Sequence, residues 1–354
     1  MTKNFENVKI QINLILASEE CETFLKYIWL LILFVALWLT AVLFFQISRD
    51  FEIYNVWCMG ACESMDVAFD KDPLFGISCV AFGVFKSDPT VLVASLWIFA
   101  SLLLKFTAFR VEIKTFIWSL FTYITFFYIT QETTQIRAAF ASAALGYAFI
   151  QIVNKNYLKS IIFCLFAVAS HLSSLLLLPI LLLLPILIKT KLRFIITVMV
   201  CQIVFISSIF ATELQNLLIT TLSNLAGIDK RVEIYLYFYE VDDITALGKN
   251  VRSLFFVIIS TLVLVKVFVS EQYDDTKLLC GSTCLTMIAI LILSLSYAVP
   301  AISLRSFELF AVPMSLMVGA YMQSIENKYY AEMIACILIL AYVGLFFKSF
   351  KILT

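Results

Sequence analysis

Long apolar runs separated by short polar breaks set the pattern of this chain. They fall at 28–48, 88–104, 115–131, 136–153, 158–170, 172–188, 193–211, 251–270, 278–298, 305–323 and 329–347. Most approach the roughly 20 residues that cross a hydrocarbon core about 30 Å thick. They are solidly apolar rather than alternating, which excludes a β-barrel. The pattern predicts an all-α polytopic membrane protein with about eleven transmembrane helices in one transmembrane domain over 1–354. Residues 1–27 read as an amphipathic cytoplasmic segment without a cleavable signal, and the first run as an uncleaved signal anchor. An outer loop over 49–87 contains the short apolar stretch "DPLFGISCVAFGVF", Asp72 to Phe85, which reads as re-entrant or interfacial. A second outer loop, 212–250, is expected to be partly an interfacial helix, since Leu225, Ile228, Val232 and Tyr235 recur at helical spacing.

Orientation follows from the basic residues. Lys155 and Lys159 precede the stretch Tyr157 to Ile188, and Lys189, Lys191 and Arg193 follow it. The positive-inside rule places both ends in the cytoplasm, so the stretch should reverse in a hairpin near Ser170-His171. The segments from Lys105 to Lys114 and from Ser270 to Lys277 then lie inside. Lys348 and Lys351 fall outside, against the rule.

Composition adds little to this picture. The chain is 62% hydrophobic, 14% charged and of zero net charge, which gives no sign of nucleic acid. Nine cysteines and one histidine do not form a zinc pattern, and no metal or other cofactor is expected. Cys58 and Cys62 share a loop and would form a small disulfide ring if that loop lies outside the cytoplasm.

The topology gathers Arg137, His171, Arg231 and Arg305 at the outer face. Arg137 opens a helix whose Ala138, Ser142 and Gly146 lie four apart, a spacing that lets helices approach closely. It is either a snorkelling arginine or a bidentate phosphate ligand. His171 stands between apolar flanks and is either a hydrogen-bonded helix-end residue or a general base. Arg231 lies in the long outer loop with Glu233 and Tyr235; the tyrosine suits a membrane-interface belt or a sugar platform. Arg305 has Glu308 three residues on, which suits a local ion pair or a phosphate site. Glu132, Gln135, Glu233, Tyr235 and Glu308 are the further candidates for a base or for sugar contacts. The span centres carry few acids, unlike those of ion-coupled transporters.

"QIRAAFA", Gln135 to Ala141, resembles the glutamine–arginine signature of the EpsG-like, Wzy-type polysaccharide polymerases. "ASHLSSLLLLP", Ala169 to Pro179, is similar to the family's H-x-S element, and "RDFEIYNVW", "KDPLF" and "RSFELF" are similar to its other short motifs. The family's glutamine after the arginine is Ala138 here and its turn glycine is Leu74, so only Arg137 and His171 carry over. The resemblance implies a bacterial inner-membrane glycosyltransferase of GT-C-like fold that works on the periplasmic face. It would transfer a growing glycan from undecaprenyl pyrophosphate to a hydroxyl of the incoming lipid-linked repeat unit. A chain-length regulator in the membrane is an implied partner. An O-antigen ligase and a flippase or solute transporter are the competing readings.

Overall fold

A computed structural model describes residues 26–48, 50–69, 72–85, 88–111, 113–210, 251–270, 273, 276–295, 305–325, 329–330, 332–334, 336–340 and 344. Among them every regular element is helical. The loop over 212–250, with Arg231, Glu233 and Tyr235, lies outside the described residues, as do Lys348, Lys351 and nearly all of the N-terminal segment.

The helices are α1 (Lys26–Gln46), α2 (Phe51–Glu63), α3 (Met65–Phe69), α4 (Pro73–Gly83) and α5 (Thr90–Phe109). Then come α6 (Ile113–Tyr123), a π turn (Ile124–Tyr128), α7 (Ile129–Thr133), α8 (Ile136–Val153) and α9 (Tyr157–Ser170). A 3-10 turn (Leu172–Leu177) leads into α10 (Leu178–Leu187), followed by α11 (Lys191–Phe210), α12 (Val251–Val269), α13 (Lys277–Leu295) and α14 (Ala311–Gln323). Among the described residues six helices, α1, α5, α8, α11, α12 and α13, are long and apolar enough to cross a membrane.

Burial sorts these helices by composition. Only 17% of the apolar stretch of α1 is buried, and its Trp29, Leu31 and Leu43 point outward. In α8 the share is 72%, because alanine, serine and glycine let neighbours approach its backbone. A Cβ on Gly146 would lie 2.2 Å from Val312 of α14, and one on Gly319 would lie 2.1 Å from Ser119 of α6. The small face anticipated around Gly146 is thus a packing surface for α14.

The chain reverses at His171. Its extended backbone ends α9, and the 3-10 turn starts the return. A Cβ on Gly281 would touch both Phe149, near the end of α8, and Ile188, past the end of α10. The two ends of the Tyr157–Ile188 stretch therefore share one end of the bundle. That end is the basic one. Lys191 donates to the carbonyls of Phe268 and Ser270 at 2.8 Å each, and Lys266 to that of Ser324 at 2.6 Å. These lysines meet the negative, unsatisfied ends of α12 and α14.

Two expectations change. Lys105 does not open a loop: α5 continues to Phe109 and buries it completely. Cys58 pairs not with Cys62 but with Cys79, at a Cα–Cα distance of 5.3 Å, tying α2 to α4. Cys62 lies on the next turn of α2 and remains a thiol, within 3.3 Å of the Cys79 carbonyl. In the stretch read as re-entrant or interfacial, Pro73 starts a short helix that packs on α2 and α3 as a cap.

Two predictions follow from this packing. Non-reducing peptide mapping should recover a Cys58–Cys79 cross-link with Cys62 free; a Cys58–Cys62 peptide would contradict the cap. Gly146→Ala should lower thermal stability in detergent by about 1–3 kcal/mol, and Val312→Ala should restore most of it.

Candidate functional site

The cap meets the helices at one carboxylate. Asp72, immediately before Pro73, is 4% exposed. Its Oδ2 accepts from Nη1 of Arg137 and lies 3.5 Å from Nδ1 of His171, while its Oδ1 accepts the backbone N–H of Leu172 at 3.0 Å. Arg137 comes from the first turn of α8 and His171 from the end of α9, so three distant parts of the chain share one anion. Burial pushes the Asp72 carboxyl up. His171, Arg137 and the Leu172 N–H outweigh it and hold it below the ordinary carboxylate range. The linkage therefore stabilises the fold at neutral pH and is lost only as acid protonates this lowered group.

Arg137 is clamped on its faces as well. Its guanidinium carbon lies 4.5 Å from the Trp57 ring centre and 5.1 Å from that of Tyr54, and Nε donates to the Tyr54 hydroxyl at 3.4 Å. Both rings come from α2, so the cap supplies aromatic and anionic partners together. The Arg137 side chain stays 20% exposed. With Nε and Nη1 engaged, Nη2 remains for a ligand. His171 presents Nδ1 to Asp72, and its Nε2 is buried without a hydrogen-bond partner. A histidine held by a carboxylate at one nitrogen keeps the other as a proton acceptor.

A second cluster lies beside the first. Glu308 is 5% exposed, its Oε1 lies 3.4 Å from Nη1 of Arg252, and its Oε2 is buried without a partner. The side-chain amide of Gln131 donates to its backbone carbonyl at 2.6 Å. Arg305 is exposed, and Glu308 also meets Arg252, from the first turn of α12, a contact that spacing did not suggest.

Glu132 departs furthest from expectation. It is not at the outer surface but fully buried. Lys105 donates to its Oε1 at 2.6 Å, Tyr123 at 2.8 Å and Ser101 at 2.9 Å. Lys105 also donates to the Ala139 carbonyl at 3.0 Å. The π turn changes the helical phase ahead of α7, and Gln131 and Glu132 both find partners inside the protein. Lys105 thus lies within the apolar helix α5 and finds its counter-ion on the short helix α7. Gln135, half-buried, starts α8 and accepts the Ala139 N–H at 2.8 Å through its backbone.

One short segment, Gln131 to Arg137, thus reaches Glu308, Lys105 and Asp72 in turn. Sequence reasoning singled out Arg137, His171 and Glu308 but not their partners Asp72 and Arg252, nor Lys105. The missed signals were an acid directly before a helix-starting proline and basic residues embedded in apolar runs. Among the described residues no group of three His, Cys, Asp or Glu side chains is placed to hold a metal ion.

The fold and site define a polytopic helical membrane protein with a buried carboxylate that joins an arginine to a histidine. The model of the EpsG family matches residues 27–353, essentially the whole chain, and the protein belongs to that family of Wzy-type polysaccharide polymerases. No curated protein and no solved structure matches the chain.

The buried pair generates a stability test. Lys105→Met or Glu132→Gln alone leaves one member of a buried pair uncompensated and should cost about 3–5 kcal/mol. The double variant should recover most of the loss. Additive losses in thermal unfolding would show that the two side chains are not coupled.

Proposed function

We propose that this protein is a glycosyltransferase that polymerises lipid-linked repeat units. The growing glycan leaves undecaprenyl pyrophosphate and joins a hydroxyl of the incoming undecaprenyl-pyrophosphate-linked unit. Membership of the EpsG family supports the polymerase class. The observation that carries the mechanism is the shared Asp72 carboxylate, which holds a cation and a potential base within one site.

In this reading the pyrophosphate of the donor meets Arg137 through its remaining guanidinium edge. Negative charge grows on that leaving group as the glycosidic bond breaks, so the arginine stabilises the transition state more than the ground state. Nε2 of His171 takes the proton of the acceptor hydroxyl, and Asp72 stabilises the imidazolium through Nδ1. The hydroxyl oxygen bonds the anomeric carbon, and the electron pair of the broken bond leaves on the lipid pyrophosphate. Arginines neutralise the phosphates, so the proposed reaction takes neither metal nor nucleotide sugar.

The reaction would lie on the periplasmic face of the bacterial inner membrane, within about eleven spans of GT-C-like fold, with a chain-length regulator as a possible membrane partner. The Cys58–Cys79 bond in the cap suits that oxidising side, and the basic rim at the opposite end suits the cytoplasm.

The test is purified protein mixed with its lipid-pyrophosphate repeat unit, without metal or nucleotide sugar, and the products run on a gel. Wild type should give a ladder. Arg137→Ala should lose it, at about 2.7–4 kcal/mol of transition-state stabilisation. His171→Ala should slow transfer roughly 10²–10⁴-fold. A wild-type ladder that survives Arg137→Ala would remove the arginine from the mechanism. Intact substrate with no ladder from folded wild type would favour a ligase or a transporter.

A further inference from the structure

We infer that Ser174 is a second anchor for the acceptor sugar: its hydroxyl binds one ring hydroxyl while Nε2 of His171 meets the neighbouring one. The assignment of that sugar to the acceptor unit rests on the polymerase reading above.

The 3-10 turn Leu172–Leu177 puts the two side chains on one edge. A 3-10 helix repeats every three residues, so side chains at i and i+3 eclipse. Burial follows that period. Ser174 is 0% exposed, Leu177 1%, and the side chain of His171 at the head of the row 12%, whereas Leu172, Leu175 and Leu176 are exposed. The Ser174 N–H donates to the His171 carbonyl at 2.9 Å, which fixes the spacing of the pair. Asp72 holds the head of the same turn through Nδ1 of His171 and the Leu172 N–H.

Both polar atoms on this edge are unspent. Among the described residues neither Oγ of Ser174 nor Nε2 of His171 has a hydrogen-bond partner, though both are buried, so they do not bond to each other. Ser170, Ser260 and Ser315 show what a buried serine does elsewhere in the bundle. They donate back along their own helices to the carbonyls of Phe166 at 2.6 Å, Val257 at 2.7 Å and Ala311 at 2.8 Å. A hydroxyl kept from water without such a bond costs stability, which a ligand can restore. The chemistry of the two atoms selects that ligand. With Nδ1–H turned to the Asp72 carboxylate, Nε2 is an acceptor and needs a donor, whereas the serine hydroxyl can give or take. An ionised phosphate offers acceptors only and fails at Nε2. Two neighbouring hydroxyls of a sugar ring satisfy both atoms.

His171 is the chain's only histidine, so it reports on this edge alone. The experiment places the full-length protein, made with isotope-labelled histidine and a histidine-free tag, in phospholipid nanodiscs. The probe is the repeat-unit oligosaccharide freed from its lipid carrier, and the imidazole signals are followed by NMR. Wild type should show a saturable shift at Nε2. Ser174→Ala should weaken that binding about tenfold. Its thermal unfolding midpoint should not fall, because the hydroxyl has no bond within the protein to lose. In the gel assay the same variant should raise KM for the repeat unit about tenfold and leave kcat unchanged, as loss of a uniform binding contact requires. No shift in wild type, or an unchanged affinity in Ser174→Ala, would overturn the anchor. So would a lowered unfolding midpoint, since the hydroxyl would then serve the fold. The titration needs no glycosyl transfer. Saturable binding that Ser174→Ala weakens, beside a wild type inactive on the gel, would count against polymerisation and not against the sugar site.

Discussion

A carboxylate taken out of water must be neutralised where it stands, and three such carboxylates organise this protein. Asp72 meets Arg137 and His171, Glu132 meets Lys105, and Glu308 meets Arg252. Each partner comes from a different part of the chain. Breaking such a pair leaves a charge in a low dielectric, which is far more costly than the pair is favourable. The three pairs therefore act less as a source of stability than as constraints on which packing is allowed. Apolar contact between helices in a bilayer is weakly directional, because lipid is as apolar as leucine. The charged contacts specify which face of α5, α8 and α12 turns inward.

The segment Gln131 to Arg137 shows how that constraint becomes geometry. Glu132 is drawn inward to Lys105, and Lys105 in turn holds the backbone of α8 at Ala139. Arg137 projects from the same α8, half a turn before that carbonyl. Its height and direction are thus referred to a fully buried ion pair, not to a loop. Tyr54 and Trp57 then fix the guanidinium from the cap side. A cation held from both sides loses little freedom when a ligand arrives, which is what preorganisation for a developing charge requires.

The helices were legible in the sequence because apolar length is a direct physical requirement of the bilayer. The run 136–153 coincides with α8, and the reversal at His171 follows from lysines at both ends of its stretch. The charged partners were less legible. Lys105 looks like a loop residue because a lysine usually ends a span, and only its pairing with Glu132 makes its burial tolerable. Asp72 was visible as part of "KDPLF" but not as the group that joins Arg137 to His171. That role depends on how the cap docks, and no periodicity encodes it. Cys58 was read as able to pair with Cys62 in its own loop if that loop lies outside the cytoplasm. The packing of α4 against α2 brought Cys79 instead.

Asp72 also explains why the site is closed in this state. Its one residue bridges the cap, through Pro73 and α4, to the ends of α8 and α9. While it does so, Nε2 of His171 is covered. In the reaction proposed above, an acceptor hydroxyl would reach that nitrogen only where the cap and α9 part. The cap joins α9 through the 3.5 Å contact of Asp72 with His171 and through the Leu172 N–H, whereas it grips Arg137 with Asp72, Tyr54 and Trp57 together. The carboxylate that neutralises the arginine is thus also the group that joins the histidine to the cap.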